Sequence, residues 1–121
     1  MTETAEIMSP DFSIADAQDV TFNFDGDHLI LQFEDWQETR VRIIFEHVIG
    51  SRYEFGESQL CEGERFDSIH LIRDSKWLQR LRDQGETWDG PQWAHYKLNF
   101  NAEGVLEVLC AGMRKVEDST S

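Results

Sequence analysis

A chain of 121 residues is long enough to form one domain with its own core, and 40% hydrophobic and 12% aromatic residues favour a folded protein over a disordered one. The formal net charge of −13 disfavours binding to nucleic acid phosphates or anionic lipid. No apolar run reaches the roughly 18 to 20 residues that a membrane span requires, and no basic segment followed by an apolar block begins the chain. We therefore expect a cytoplasmic protein without a membrane segment.

Most of the negative charge belongs to the first third of the chain. Residues 1–39 hold ten acidic residues and no Lys or Arg, whereas residues 40–121 hold eleven basic and fourteen acidic residues, a net charge of −3. Residues 1–18 show no sustained hydrophobic period, so we expect a flexible acidic leader ahead of a single domain over residues 19–113. Such charge speeds encounter with a basic protein, although solubility alone can also explain it.

From Val20 onward, apolar and polar residues alternate with the period of two that is typical of half-buried strands. A two-residue turn at residues 26–27 joins "VTFNFD" to "HLILQF". The register in which Asp25 faces His28 puts Val20, Phe22 and Phe24 on one apolar face, which we expect to lie against the core.

The segment "EDWQET" leads from this hairpin into "RVRIIF". Pairing Glu34 with Arg40 joins opposite charges and sets every apolar side chain opposite another apolar one. The sequence therefore predicts a meander of three antiparallel strands over about residues 19–48. After the meander, we expect "HVIGSRYEF" to form a bent or broken strand, with Gly50 at a bulge or bend.

A polar segment, "GESQLCEGER", predicts a surface loop, and "FDSIHLIR" predicts a strand. The next segment, "DSKWLQRLRDQG", predicts a short helix near residues 75–84. Asp74 or Ser75 can cap its start, and Gly85 can end it. Its apolar stripe consists of Trp77, Leu78 and Leu81.

The stretch "WAHYKLNFNAEGVLEVLC" predicts a hairpin. A type I turn at "NAEG", with Gly104 in the left-handed conformation, places Tyr96 opposite Cys110 on an apolar face. His95 then lies on the other face. Since a Cys–His nucleophile pair needs direct hydrogen-bond contact, His95 and Cys110 are not predicted to form one, and Cys110 is interpreted as a small buried hydrophobic residue.

The order of elements predicts an α+β fold that is mainly antiparallel β. We expect about six or seven strands in a curved sheet or small sandwich, with one short helix near residues 75–84. Residues 114–121 are polar and are expected to be a disordered tail. Cys61 and Cys110 lie far apart and outside a C-x-x-C spacing, so we expect free thiols, with a single disulfide between them as the alternative.

The sequence does not indicate a catalytic centre. It contains no phosphate-binding loop, dinucleotide fingerprint or G-x-S-x-G elbow, and its four histidines are scattered without metal-ligand spacing. We therefore assign no catalytic residue, no metal ligand and no cofactor.

The most suggestive feature is a set of tryptophans beside acidic residues in predicted loops. Such tryptophans often anchor protein interfaces, although they can also cover the ends of a core. The candidate contacts for a protein partner are Trp36, Trp88, Trp93, His95, Glu34, Asp35, Glu38 and Asp89.

The combination of "LILQFEDWQETRVRIIFEHV", a helix and "HYKLNFNAEGVLEVLC" resembles small acidic bacterial proteins of unassigned function, some of which resemble immunity proteins of polymorphic toxin systems. The resemblance covers about residues 20–112. It implies a non-enzymatic binder that masks a basic protein partner. The alternatives are a small-molecule-binding or hydrolytic domain that uses a concave sheet face with His95 and nearby carboxylates, and an accessory subunit or homodimer joined through an edge strand.

Overall fold

The computed structural model describes residues 3–8, 10–54, 64, 67–100 and 104–116. Within these residues the chain forms an α+β fold of nine antiparallel strands and one helix, which confirms the predicted fold class with two more strands than expected. The elements are β1 (Thr4–Met8), β2 (Gln18–Asp25), β3 (His28–Glu34), β4 (Arg40–Glu46), β5 (Gly50–Glu54), β6 (Ser68–Arg73), α1 (Lys76–Asp83), β7 (Ala94–Phe100), β8 (Gly104–Cys110) and β9 (Gly112–Val116).

The strands form two sheets that enclose the core as a sandwich. Sheet 1 has the order β1-β6-β7-β8-β5, and sheet 2 has the order β2-β3-β4-β9. The chain crosses between the sheets three times: after β1, after β4, where His47 has a φ of +52°, and after β8. The segment after β4 is broken, as predicted, and its strand β5 begins at Gly50 and belongs to the opposite sheet.

The predicted meander of β2, β3 and β4 is confirmed. Asp25 faces His28, and Glu34 faces Arg40, as the charge and apolar patterns require. The β2–β3 register shifts between Gln18 and Thr21, so the regular pairing does not extend to the start of β2. Apart from a half-buried Val20, every residue of β2 is exposed, which the predicted apolar face did not anticipate.

The core lies between the inner faces of the two sheets. It combines aliphatic and aromatic side chains from β3, β4, β6, β7 and β8, and Phe33 of sheet 2 packs edge-on against Phe100 of sheet 1 at a centroid distance of 6.2 Å. Helix α1 covers the opposite face of sheet 1. It begins at the predicted cap Ser75, whose hydroxyl accepts a hydrogen bond from Leu78 N at 3.1 Å.

The expectation of a flexible leader over residues 1–18 is wrong for the described part of that segment. Strand β1 pairs with β6, and Ile14 is only 1% exposed within the core. Its neighbour Phe12 packs against Phe33 with ring centroids 6.5 Å apart. These apolar residues are too widely spaced to produce a periodic pattern. At the other end, residues 114–116 belong to β9 rather than to a disordered tail.

The register of the β7–β8 hairpin differs from the prediction by two residues. Tyr96 faces Val108 rather than Cys110, and Gly104 pairs with Phe100 inside the ladder. A shift of two residues leaves each side chain on its predicted face, so Cys110 still lies in the core and His95 on the opposite side. Residues 101–103, which the prediction placed in the turn with Gly104, lie outside the described residues.

Gly104 is required by the close approach of β5. Its φ is +100°, and a Cβ at this position would overlap the carbonyl oxygen of Glu54. We expect Gly104→Ala to lower the free energy of unfolding by about 2 to 4 kcal/mol, through backbone strain and overpacking. Gly112→Ala is the matched control, because a Cβ there meets no atom within 4 Å. Equal urea midpoints for the two variants would contradict this account of Gly104.

Candidate functional site

The connection between β3 and β4 is a tightly bonded turn. Asp35 Oδ1 accepts hydrogen bonds from Gln37 N and Thr39 N, both at 2.9 Å. The backbone closes the same turn, because Asp35 N donates to Thr39 O and Glu38 N donates to Asp35 O. Trp36, at the tip, remains 58% exposed. The turn therefore presents a tryptophan to solvent on a backbone with little freedom.

This turn forms one wall of a surface depression, which we call the acidic groove. The depression has a volume of about 380 Å³. Its lining consists of Asp16, Ala17, Gln18, Glu34, Asp35, Trp36 and Glu38. Four of these side chains are carboxylates, and none of the described lining residues is basic. The groove therefore unites four of the eight candidate contacts predicted from the sequence with residues that precede β2.

The groove is suited to a cationic side chain. Carboxylates attract a guanidinium or ammonium group and accept its hydrogen bonds. The exposed face of Trp36 adds a cation–π contact, which is strongest for tryptophan among the aromatic residues. The residues before β2 were missed as candidates because a flexible leader would not have placed Asp16 beside Glu34.

The other predicted tryptophans form a separate cluster. The rings of Trp88 and Trp93 pack edge to face at a centroid distance of 4.6 Å, and Trp93 Nε1 donates to Trp88 O at 3.1 Å. Trp88 also contacts the ring of His47 at 5.7 Å and remains 52% exposed. Asp89 is exposed beside it. The cluster stabilises the loop before β7, and Trp93 is half-buried in it.

Asp27 connects this cluster to the β2–β3 turn. Its carboxylate lies 2.6 Å from His47 Nδ1 and 2.8 Å from His28 Nδ1. The hydrogen bond from His47 lowers the pKa of Asp27 below its usual value. Across the described parts of the chain, no group of three or more His, Cys, Asp or Glu side chains is arranged to hold a metal ion. We interpret the Asp27 contacts as fixing the turn against the crossover after β4.

His95 is not on a partner-accessible surface, contrary to its place among the predicted contacts. The side chain is 2% exposed and lies beneath α1, because the outer face of sheet 1 is covered there. Its Nε2 lies 2.8 Å from Glu107 Oε1, and its Nδ1 lies 2.7 Å from the Ser75 hydroxyl. The ring of Trp77 packs edge-on against it at 5.5 Å. His95 therefore connects the start of α1 to β8.

Glu107 is the charged end of this buried chain. Burial alone would raise its pKa, but hydrogen bonds from His95 and Arg52 outweigh burial and lower the pKa to about 2. Arg52 Nε donates to Glu107 Oε2 at 2.7 Å, and its guanidinium lies 4.5 Å from the ring centroid of Trp77. Glu107 is therefore ionised and paired at neutral pH, as a buried carboxylate must be.

The sequence Ser75–His95–Glu107 follows the hydroxyl–imidazole–carboxylate order of serine hydrolases. Ser75 and His95 also line an open cleft of about 1050 Å³ beside α1. However, Arg52 neutralises the carboxylate, and the hydroxyl oxygen already accepts a hydrogen bond from Leu78 N. We therefore interpret these contacts as a structural connection between α1 and sheet 1, and the hydrolytic alternative gains no free nucleophile from them.

Cys110 is fully buried in the core, as predicted. Burial raises the pKa of its thiol to about 12, so the thiolate needed for nucleophilic chemistry is not formed at neutral pH. Cys61 lies outside the described residues. The expected free state of Cys110 agrees with the structure.

Searches against protein-family models, curated proteins and solved structures found no match for this chain. The resemblance to immunity proteins therefore stays a prediction. In the part of the chain that the structure describes, no helix is both long and apolar enough to cross a membrane.

The buried position of Glu107 predicts a pH-dependent stability. Because its folded pKa of about 2 lies below the ordinary 4.5, its contribution is present above pH 4.5 and is lost as the pH falls toward 2. This lowering of the Glu107 pKa corresponds to roughly 3 kcal/mol of folding stability at neutral pH. In urea unfolding, we expect Glu107→Gln to be destabilised by about this amount at pH 7 and by clearly less at pH 3.

The matched control is Glu46→Gln, which removes a carboxylate from an exposed ion pair with Arg114. Exposed pairs contribute about 0 to 1 kcal/mol, so this variant should change stability little at either pH. A difference between wild type and Glu107→Gln that stays constant from pH 7 to pH 3 would exclude the ionised, paired Glu107.

Proposed function

We propose that this protein is a non-enzymatic, immunity-like binding domain that masks a basic protein partner, and that the acidic groove contacts the partner first. The observation that carries the proposal is the presentation of Trp36 on a rigid turn among four carboxylates. An acidic chain could gain solubility from dispersed charges alone. Dispersed charges would not require an exposed tryptophan in the middle of them.

The turn favours binding because it is already ordered. Side chains and loops that become fixed on association lower the affinity, and this cost is small where the free protein holds its bound conformation. The hydrogen bonds of Asp35 hold the turn in the free protein. Trp36 therefore supplies a large contact area with only its own side chain left to order.

The charge defines the class of partner. A groove with four carboxylates attracts Arg and Lys side chains, and Asp19 and Asp25 of the adjoining strand β2 carry the same sign of charge. Long-range attraction raises the association rate and weakens as salt is added. We therefore expect a basic protein, a stoichiometric complex and strong dependence of its formation on ionic strength.

The test is affinity capture from a lysate of the native host with the immobilised protein. At about 0.05 M salt we expect one stoichiometric basic protein, and at about 0.5 M salt we expect much less of it, because salt screens the attraction. Trp36→Ala should lower the affinity for that protein about tenfold or more, as measured by calorimetry. Recovery of no stoichiometric partner at low salt would contradict the proposal.

A charge-matched pair of double variants separates the groove from the overall charge. Glu34→Gln with Glu38→Gln removes two carboxylates from the groove, and Asp83→Asn with Glu86→Gln removes two exposed carboxylates from the end of α1 and the loop after it. We expect only the first pair to weaken the complex strongly. Equal losses for both pairs would show that the net charge, rather than the groove, determines binding.

A further inference from the structure

Strand β2 is the longest exposed sheet edge among the described residues. It is an outer strand of sheet 2, it pairs only with β3, and it has eight residues, whereas the other edge strands, β1, β5 and β9, have five each. All of its residues except Val20 are exposed. An edge of this kind displays unpaired N–H and C=O groups that can pair with another strand.

Between its two ends, the edge lacks the usual protection against such pairing. Natural edge strands are commonly short, or carry charged side chains or Pro, or are twisted by a bulge. The sequence of β2, "QDVTFNFD", contains no Lys and no Pro, and its charged residues, Asp19 and Asp25, lie toward the two ends of the strand. Its single irregularity lies between Gln18 and Thr21, at the start of the strand. The remaining residues form a regular ladder with β3 and leave a regular open edge.

The turn after β2 shows which backbone groups face outward. Gly26 has a φ of +67°, and Asp27 has no positive φ, which is the pattern of a type II′ turn with a two-residue loop. In such a hairpin the flanking residues, here Asp25 and His28, form a hydrogen-bonded pair. Phe22 and Phe24 therefore occupy the alternate positions, and their N–H and C=O groups point to the open edge.

The side chains of the same two residues provide an apolar surface. Phe22 and Phe24 face the buried Leu31 and Leu29 in the ladder, yet they are 37% and 57% exposed. The ring of Phe22 lies 5.1 Å from that of Tyr53, on the edge strand β5 of sheet 1. Both rings therefore lie at the open side of the sandwich, where a further strand would cover them.

We propose that an extended basic segment of the partner adds to sheet 2 along the free edge of β2. This inference rests on the proposed function, because it specifies how the partner continues from the acidic groove. Gln18 both lines the groove and begins β2, so the groove and the edge are continuous. The eight residues of β2 span about 25 Å, which a partner segment of similar length can follow.

The charge of the edge selects a basic segment over a second copy of this chain. Asp19 and Asp25 are exposed at the two ends of β2, next to the carboxylates of the groove. A second copy would bring Asp19 and Asp25 of its own β2, and no basic residue of that strand, against them. Like charges placed opposite each other destabilise a strand pair. A segment that alternates apolar and basic residues can place its apolar side chains on the face of Phe22 and Phe24 and its basic side chains on the opposite, polar face of β2.

The test uses an octapeptide of alternating Lys and Val residues, capped at both ends, and amide hydrogen exchange measured by NMR. Bound to the edge, the peptide should slow exchange of the Phe22 and Phe24 amides about tenfold or more. The Asn23 amide should change little, because it is already bonded to β3. A peptide of alternating Glu and Val is the charge-reversed control, and a Lys–Val peptide with N-methylated backbone is the hydrogen-bond control; neither should protect these amides.

A pair of variants separates the backbone contribution from the side chain. Phe24→Ala removes the ring. Phe24→Pro removes both the ring and the outward N–H, and an edge strand tolerates proline at such a position. We expect the proline variant to bind the Lys–Val peptide several-fold more weakly than the alanine variant. Equal affinities of the two variants would overturn strand addition.

The outcomes distinguish this inference from the proposed function. If the Lys–Val peptide shifts the Trp36 indole resonance while exchange at Phe22 and Phe24 stays unchanged, strand addition is overturned and groove recognition remains. Failure of the peptide to bind at all also overturns strand addition, whereas affinity capture from the lysate decides the proposed function separately. The Phe22 and Phe24 amides could instead be protected in the protein without peptide, with sedimentation showing a dimer. That result would identify a second copy as the occupant of the edge and overturn the basic segment.

Discussion

Strand β8 is buried on both faces, and this constraint determines how the rest of the molecule is arranged. Its inner face carries Leu106, Val108 and Cys110 into the core between the sheets. Its outer face places the carboxylate of Glu107 under α1, where only charged or polar partners make burial tolerable. Arg52 on β5 and the chain from His95 to the α1 cap supply them, which fixes the positions of β5 and α1 relative to β8.

Among the described residues, the opposite side of the sandwich is open. Sheet 1 ends at β5 and sheet 2 ends at β2, so the rings of Phe22 and Phe24 are only partly covered. The exposed Trp36 and the groove carboxylates adjoin the same strand. The molecule therefore combines a closed half, stabilised by internal ionic contacts, with a half that concentrates negative charge, exposed aromatics and unpaired backbone groups. That asymmetry is the physical basis for the proposed recognition of a basic partner.

Local patterns in the sequence predicted the structural features that depend on residues close together in the chain. The period of two and the charge pair of Glu34 with Arg40 gave the meander, and the α1 cap was predicted at Ser75 or its neighbour. The sequence left a single curved sheet and a two-sheet sandwich as alternatives, because the crossover after β4 depends on long-range packing. Likewise, His95 was assigned to the face opposite Tyr96 and Cys110, but α1 was not placed over that face. By sequence alone, Gly104 fits a turn as well as it fits the strand ladder. Only the close approach of β5 explains why a glycine is required in the ladder.

The most direct measurement of the asymmetry between the two halves is the relaxation of amide and indole protons by small paramagnetic cosolutes of opposite charge. Because a local negative potential enriches cations and depletes anions, the ratio of the two effects reports the potential at each proton. The account predicts that the cationic cosolute dominates at the Trp36 indole and along β2, well beyond its effect along α1. Equal ratios at β2 and α1 would contradict a concentrated acidic binding surface and leave only a uniformly acidic protein.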